Sequence, residues 1–130
     1  MIVLALALVA QPLTAEDCRD PQTQVEMNAC AARDFEIADR ELNIAYREAI
    51  AGARADDAEL DRQADTRPTS EAVLREAQRA WVTFRDAHCT LQGYQEARGG
   101  SMEPMSYNSC RAGLTRARTA QLRGDASAAQ

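Results

Sequence analysis

Four cysteines, at positions 18, 30, 89 and 110 of a 130-residue chain, restrict the fold more than any other feature. An even cysteine count in a short chain reads as a disulfide framework if the chain is exported. Structural zinc instead wants paired Cys-x-x-Cys or Cys/His spacings. These cysteines are too widely spaced for that, and His88 beside Cys89 is the sole hint of a metal. The N-terminus decides the compartment. Met1 to Ala15 carry no charge, an apolar run spans Ile2 to Ala10, and Gln11, Pro12 and the small Ala15 follow. This is the pattern of a secretory signal peptide, although no Arg precedes the apolar run. The run is shorter than the roughly 20 apolar residues a membrane-spanning helix needs. Cleavage after Ala15 leaves residues 16–130 as one domain in the periplasm or outside the cell. Cys18 follows Glu16 and Asp17 rather than a small cleavage residue, so no acyl-type membrane anchor is expected. Of the three possible connectivities, Cys18–Cys30 with Cys89–Cys110 joins near neighbours around single bends. Each such loop is worth about 3 kcal/mol by chain entropy.

Periodicity fills in the rest. Thr23 with Glu26 forms a capping-box pattern after Pro21. Met27, Ala31, Phe35, Ala38, Leu42, Ala45 and Ala49 then recur at steps of three and four, with Ile37, Ile44 and Ile50 widening the stripe. The spacing predicts a helix over about 23–53. Residues 52–68 are polar and acidic and read as a surface connection. A second helix starts after Pro68, capped by Thr69 or Ser70, and ends near Gly93. Its expected buried stripe is Val73, Leu74, Ala77, Ala80, Trp81, Phe84 and Leu91. Residues 93–107 read as a loop, because Gly99 and Gly100 free the backbone and Pro104 opposes a helix. A third helix is expected from about Ser109 to Arg123, with Cys110, Leu114, Ala117 and Leu122 inward and Gly124 as its stop. No strand-type alternation is present. The fold class is therefore all-α: a small disulfide-stapled bundle of one long and two shorter helices.

Composition narrows the function. Fifteen cations, every one Arg, face twenty acids, for a net charge of −5. Such a chain is a poor ligand for nucleic acid or an anionic membrane and a better one for a basic protein. Hydrolytic chemistry needs a nucleophile, a base and an orienter in reach. His88 is the single histidine, and Asp86, two residues away on a helix, does not face it. There is no phosphate-cradling glycine loop and no metal motif. Neither a catalytic residue nor a cofactor is called for. The loop pinned by Cys89 and Cys110 is the favoured contact surface, with Tyr94, Ser101, Met102 and Tyr107 as its contact residues.

Three segments, TQVEMNACAARDFEIADRELNIAY, AQRAWVTFRDAHC and GGSMEPMSYNSCRAGLTRARTAQL, together resemble the DUF1311 family, the domain found at the N-terminus of the lysozyme inhibitor LprI. The resemblance covers Cys18 to Leu122. It implies an exported helical domain and a protein partner, a basic lysozyme-type muramidase. The other expectation is an envelope interaction module for another protein or a peptidoglycan fragment. The family-type polar positions are Gln24, Glu26, Asn28, Asp39, Asn43, Gln78, Arg79, Arg85 and Asp86. Among them Asp39, Asn43, Arg79 and Arg85 are expected to form an Arg–carboxylate network that locks helices together rather than doing chemistry.

Overall fold

The computed structural model describes residue 11 and residues 14–124. Most of the expected signal segment, 1–15, lies outside the described residues. Three helices follow a short 3-10 turn at Asp17–Arg19: α1 over Gln24–Ala58, α2 over Ser70–Ala97 and α3 over Glu103–Leu122. Among the described residues there is no strand, and no helix is long and apolar enough to cross a membrane. The last helix packs most extensively along α1 and next on α2, while α1 and α2 touch least. Cys18 is bonded to Cys30 and Cys89 to Cys110, each pair with Cα atoms 5.5 Å apart.

The helix starts are chemically specified. Thr23 Oγ1 accepts from the Glu26 N–H at 3.2 Å, and the Glu26 carboxylate accepts from the N–H groups of Thr23 and Gln22 at 3.0 and 2.7 Å. Two orphan donors are thereby satisfied. Those backbone donors, Gln22 first, hold the Glu26 carboxyl below its ordinary range. Thr69 caps α2 by accepting from Ala72 N–H. The carboxylate of Asp57, from the far end of α1, accepts from the N–H groups of Ser70 and Glu71 at 2.8 and 2.9 Å. One side chain therefore closes the linker and caps the next helix.

The helices run longer than their spacing predicts. The first continues five residues past the expected 53, to Ala58, and the second reaches Ala97 rather than stopping at Gly93. Gly93 is buried inside a helix because α3 crosses there: a Cβ on it would sit 3.5 Å from Glu103 Cγ and 3.8 Å from Tyr107 Cβ. Pro104 stands in the first turn of α3, where its missing N–H would have had no helical acceptor. The expected loop 93–107 therefore shrinks to 98–102, with Gly99 in the left-handed region at φ +75°.

The larger correction concerns α2. Val73, Ala77, Ala80, Phe84 and Leu91, expected inside, are exposed, and Gln78, Arg85, Cys89 and Gly93 are buried instead. The Cys89–Cys110 bond supplies the reason. Cys89 is fully buried against α3. At about 100° per residue, fixing it inward also turns Gln78, Arg85 and Gly93 inward, and rotates positions 73, 77, 80, 84 and 91 away by about 120–200°. The remaining core is made of small side chains. Ala31, Ala38, Leu42, Ala45 and Ile50 of α1 and Ala112, Thr115 and Thr119 of α3 are buried, and these two helices pack together most extensively. Ile37 and Ile44, expected to widen the α1 stripe, are exposed.

Candidate functional site

The turn between α2 and α3 forms a braced corner. Gly100 N–H donates to Ala97 O at 2.8 Å, and Glu103 N–H to Gly100 O at 3.2 Å. The Glu103 carboxylate accepts from Gly99 N–H at 2.6 Å. The start of α1 holds the corner from the side. Asn28 Nδ2 donates to Ser101 O at 2.9 Å, and Gln24 Nε2 donates to Asn28 Oδ1 at 2.9 Å. The Cys89–Cys110 bond ties α2 to α3 beneath it. On this frame Ser101 and Met102 are exposed in the turn. At the helix crossing Thr90, Gly93, Tyr94, Glu103 and Tyr107 line an open cleft of about 200 Å³. All four expected contact residues thus lie at one corner. Two are helical, and Tyr107 is half-buried.

Tyr107 is also the first rung of a ladder that runs under the corner. The Arg111 guanidinium lies 4.8 Å from the Tyr107 ring centroid and 3.6 Å from that of Phe35. Arg85 lies 5.0 Å from Phe35 on its other contact and 5.2 Å from Trp81. Arg118 follows at 6.0 Å from Trp81. Cations and aromatic rings therefore alternate through the interface of all three helices. Each contact is attracted by the ring quadrupole, more strongly where water is excluded.

Carboxylates balance the buried charge. Arg85 Nε donates to Asp86 Oδ1 at 2.9 Å, and Arg85 Nη1 lies 3.5 Å from Asp39 Oδ1 and 3.3 Å from Thr115 Oγ1. Arg111 Nε lies 3.3 Å from the same Asp86 oxygen, an ion pair without hydrogen-bond alignment. Asn43 Nδ2 donates to Asp39 at 3.3 Å. Arg118 Nε donates to Gln78 Oε1 at 3.0 Å, and burial pulls the Arg118 guanidinium below its ordinary value. Of the expected network, Asp39, Asn43 and Arg85 come together. Arg79 is exposed instead, because six residues along a helix turns a side chain about 120° from Arg85.

Sequence reasoning missed Arg111, Phe35 and Thr115 as members. The available signal was the row Arg111, Thr115, Arg118, Leu122 at steps of four, three and four, an inward stripe with arginines where leucines are usual. Asp86 is occupied by arginines, while His88 is exposed and stacks on Phe84 at 5.3 Å. No His–carboxylate pair forms there. Among the described residues no group of three or more His, Cys, Asp or Glu is placed to hold a metal.

The opposite end of α2 is held by surface charge. Glu71 accepts from Arg54 at 2.8 and 2.9 Å and from Arg75 at 2.8 and 2.9 Å. Those guanidiniums, Arg54 first, keep the Glu71 carboxyl below its ordinary range. The Glu71 N–H, with the Ser70 donors, lowers the Asp57 carboxyl in the same direction, against the opposing effect of burial.

Comparison with known proteins gives three findings. The family model described as lysozyme inhibitor LprI matches residues 15–122. An uncharacterised protein of Rhizobium meliloti (strain 1021) is 50% identical over 108 residues, 82% of this chain and 76% of that protein. The crystal structure of a DUF1311 family protein from Pseudomonas putida KT2440 superposes with a TM-score of 0.63 at 28% identity, covering 79% of this chain and 93% of that one.

Proposed function

The chain belongs to the lysozyme inhibitor LprI family, and on that premise we propose that it is an exported, non-enzymatic binding protein that inhibits a basic lysozyme-type muramidase. The observation that carries the reading is the family match across residues 15–122. The two disulfides suit an oxidising compartment, and the acidic balance suits a basic target. The corner of Tyr94, Ser101, Met102 and Tyr107 is its contact surface. A rigid turn that already holds its bound shape loses little entropy on docking. Net charge speeds the encounter, and the tyrosines and Met102 provide the close contacts.

Titration of the protein, recovered after export, against lysozyme turnover in low salt tests this. Inhibition at micromolar concentration, weakened at least tenfold by Met102→Ala or Tyr94→Ala, is expected. No inhibition at micromolar excess overturns it. The cleft between the tyrosines favours one second reading, a module that takes a peptidoglycan fragment. Aromatic faces with the Glu103 carboxylate beside them suit a polyhydroxylated ligand. Binding of a neutral fragment there would be almost unchanged by salt, unlike capture of a basic protein.

A further inference from the structure

The outward face of α2 carries a pattern that the core does not use and that meets the corner only at Tyr94. Ala77, Ala80, Phe84, Ala87, Leu91 and Tyr94 are all exposed. They follow one another at steps of three, four, three, four and three, the 3.5-residue repeat of a coiled-coil seam. Phe84 is 57% and Leu91 54% exposed. The other exposed positions between 77 and 95 are Arg79, Thr83, His88 and Gln95. Arg79 is thus the one fixed charge among these exposed positions, and the Arg98 guanidinium lies 4.4 Å from the Tyr94 ring centroid at the seam's end. The outward face of α1 is different: its exposed positions between 36 and 48 include Glu36, Arg40, Glu41, Arg47 and Glu48.

We infer that this seam pairs with the same seam of a second copy, antiparallel, in a reversible dimer. The order of large and small residues selects the occupant and the register. Let residues whose numbers sum to 171 oppose one another. Phe84 of one copy then faces Ala87 of the other, Leu91 faces Ala80, and Tyr94 faces Ala77. Two-fold symmetry repeats each pair, which gives six layers, every one a large side chain against an alanine. A self-complementary patch of this kind closes as a two-fold dimer rather than growing into a filament. The flanking positions bring Thr83 toward Thr90 and Trp81 toward His88, so no like charges meet along the seam. That matters for a chain of net charge −5, because copies must approach on a face that does not repel. The seam from 77 to 94 is about 27 Å long and a helix about 10 Å wide. This footprint falls below the roughly 800 Å² per partner of a stable complex. The dimer is therefore weak and dissociates on dilution. Tyr94 belongs to both the seam and the corner, so the decisive variants lie at Phe84 and Ala87, which the corner does not use.

Sedimentation of the exported protein from 1 to 300 μM reads the association. The expected weight-average mass rises toward twice the monomer value with concentration. Phe84→Glu and Ala87→Glu each hold it at the monomer value with unchanged circular dichroism, since both positions are solvent-facing. Ile44→Glu, on the outward face of α1, leaves dimerisation intact. A nitroxide on a cysteine introduced at Gln95 reads the direction. The antiparallel register places the two labels about 28 Å apart along the axis, whereas a parallel pair places them about 10 Å apart. Monomer at every concentration overturns the inference, whatever else covers the seam. A mass increase that survives both glutamate variants, or the short label distance, overturns it equally. Retained lysozyme inhibition in Phe84→Glu keeps this result separate from the proposed function.

Discussion

The two ends of α2 are fastened by different physics. At its C-terminal end a disulfide, a buried glycine crossing and the Asn28–Ser101 hydrogen bond hold the turn to α3. At its N-terminal end Asp57 caps the helix from α1, and Glu71 bridges two arginines, all at the surface. The first fastening is mainly covalent and steric, so salt leaves it almost unchanged and acid reaches it chiefly through carboxylate contacts such as Glu103 on Gly99 N–H. The second depends on ionised carboxylates exposed to solvent, where each ion pair contributes little and is screened. The molecule is thus rigid where the proposed contact surface stands and adjustable where its linker runs.

That contrast can be broken from the middle. Asp86 Oδ1 serves both Arg85 and Arg111. Asp86→Ala removes the carboxylate partner of Arg111 and leaves Arg85 with Asp39. The expected cost is about 3 kcal/mol, the lower end for breaking a buried pair, because the carboxylate is itself partly exposed. Thermal melting should fall by more than for any surface variant, and both ends should loosen together. Opening the Cys89–Cys110 bond by a double Cys→Ala variant is expected to cost about 3 kcal/mol. Hydrogen exchange should then rise first around 98–102, removing the difference between the ends.

Smaller perturbations sharpen the comparison. Asp57→Ala removes the acceptor of two helix N–H groups and should lower the melting temperature by less than either change above, with faster exchange at Ser70 and Glu71 and no change at the corner. Acid should act on the same end. The Asp57 and Glu71 carboxyls lie below their ordinary values in the folded chain. They therefore stabilise it at neutral pH, and that contribution disappears as pH falls beneath the ordinary carboxylate range and through their lowered folded values. Exchange near 57–75 should rise in that window before exchange near 94–107 does. An equal rise at both ends would remove the distinction. Asn28→Ala, which deletes the hydrogen bond to Ser101 O and the one from Gln24, should cost about 0.5–1 kcal/mol and be felt at the turn and the first turn of α1.

Local rules made much of this legible from the sequence. The capping box at Thr23 and Glu26 and the stripe through Ala31, Ala38, Leu42 and Ala45 follow from neighbours three and four residues apart. Gly93 and Pro104 misled because their usual effect is to break helices. One lies inside a helix where a partner helix crosses over it, and the other sits where a missing N–H costs nothing. The rotation of α2 was not readable from its own hydrophobic pattern, since a bond to Cys110 sets it. The exposure of Ser101 and Met102 followed from turn chemistry. The ladder linking Tyr107, Arg111, Phe35, Arg85, Trp81 and Arg118 did not, because its rungs come from three helices and from arginines that pattern reading assigns to solvent.

The two disulfides also set how the chain behaves under tension. They short-circuit sequence separations of 12 and 21 residues. Drawn out from residues 14 and 124, the oxidised protein withholds those segments from its contour even when every helix has unravelled. Reduction should release on the order of 100 Å of further extension, at about 3.5 Å per residue, in two steps of unequal length. The longer step frees the segment that carries the corner.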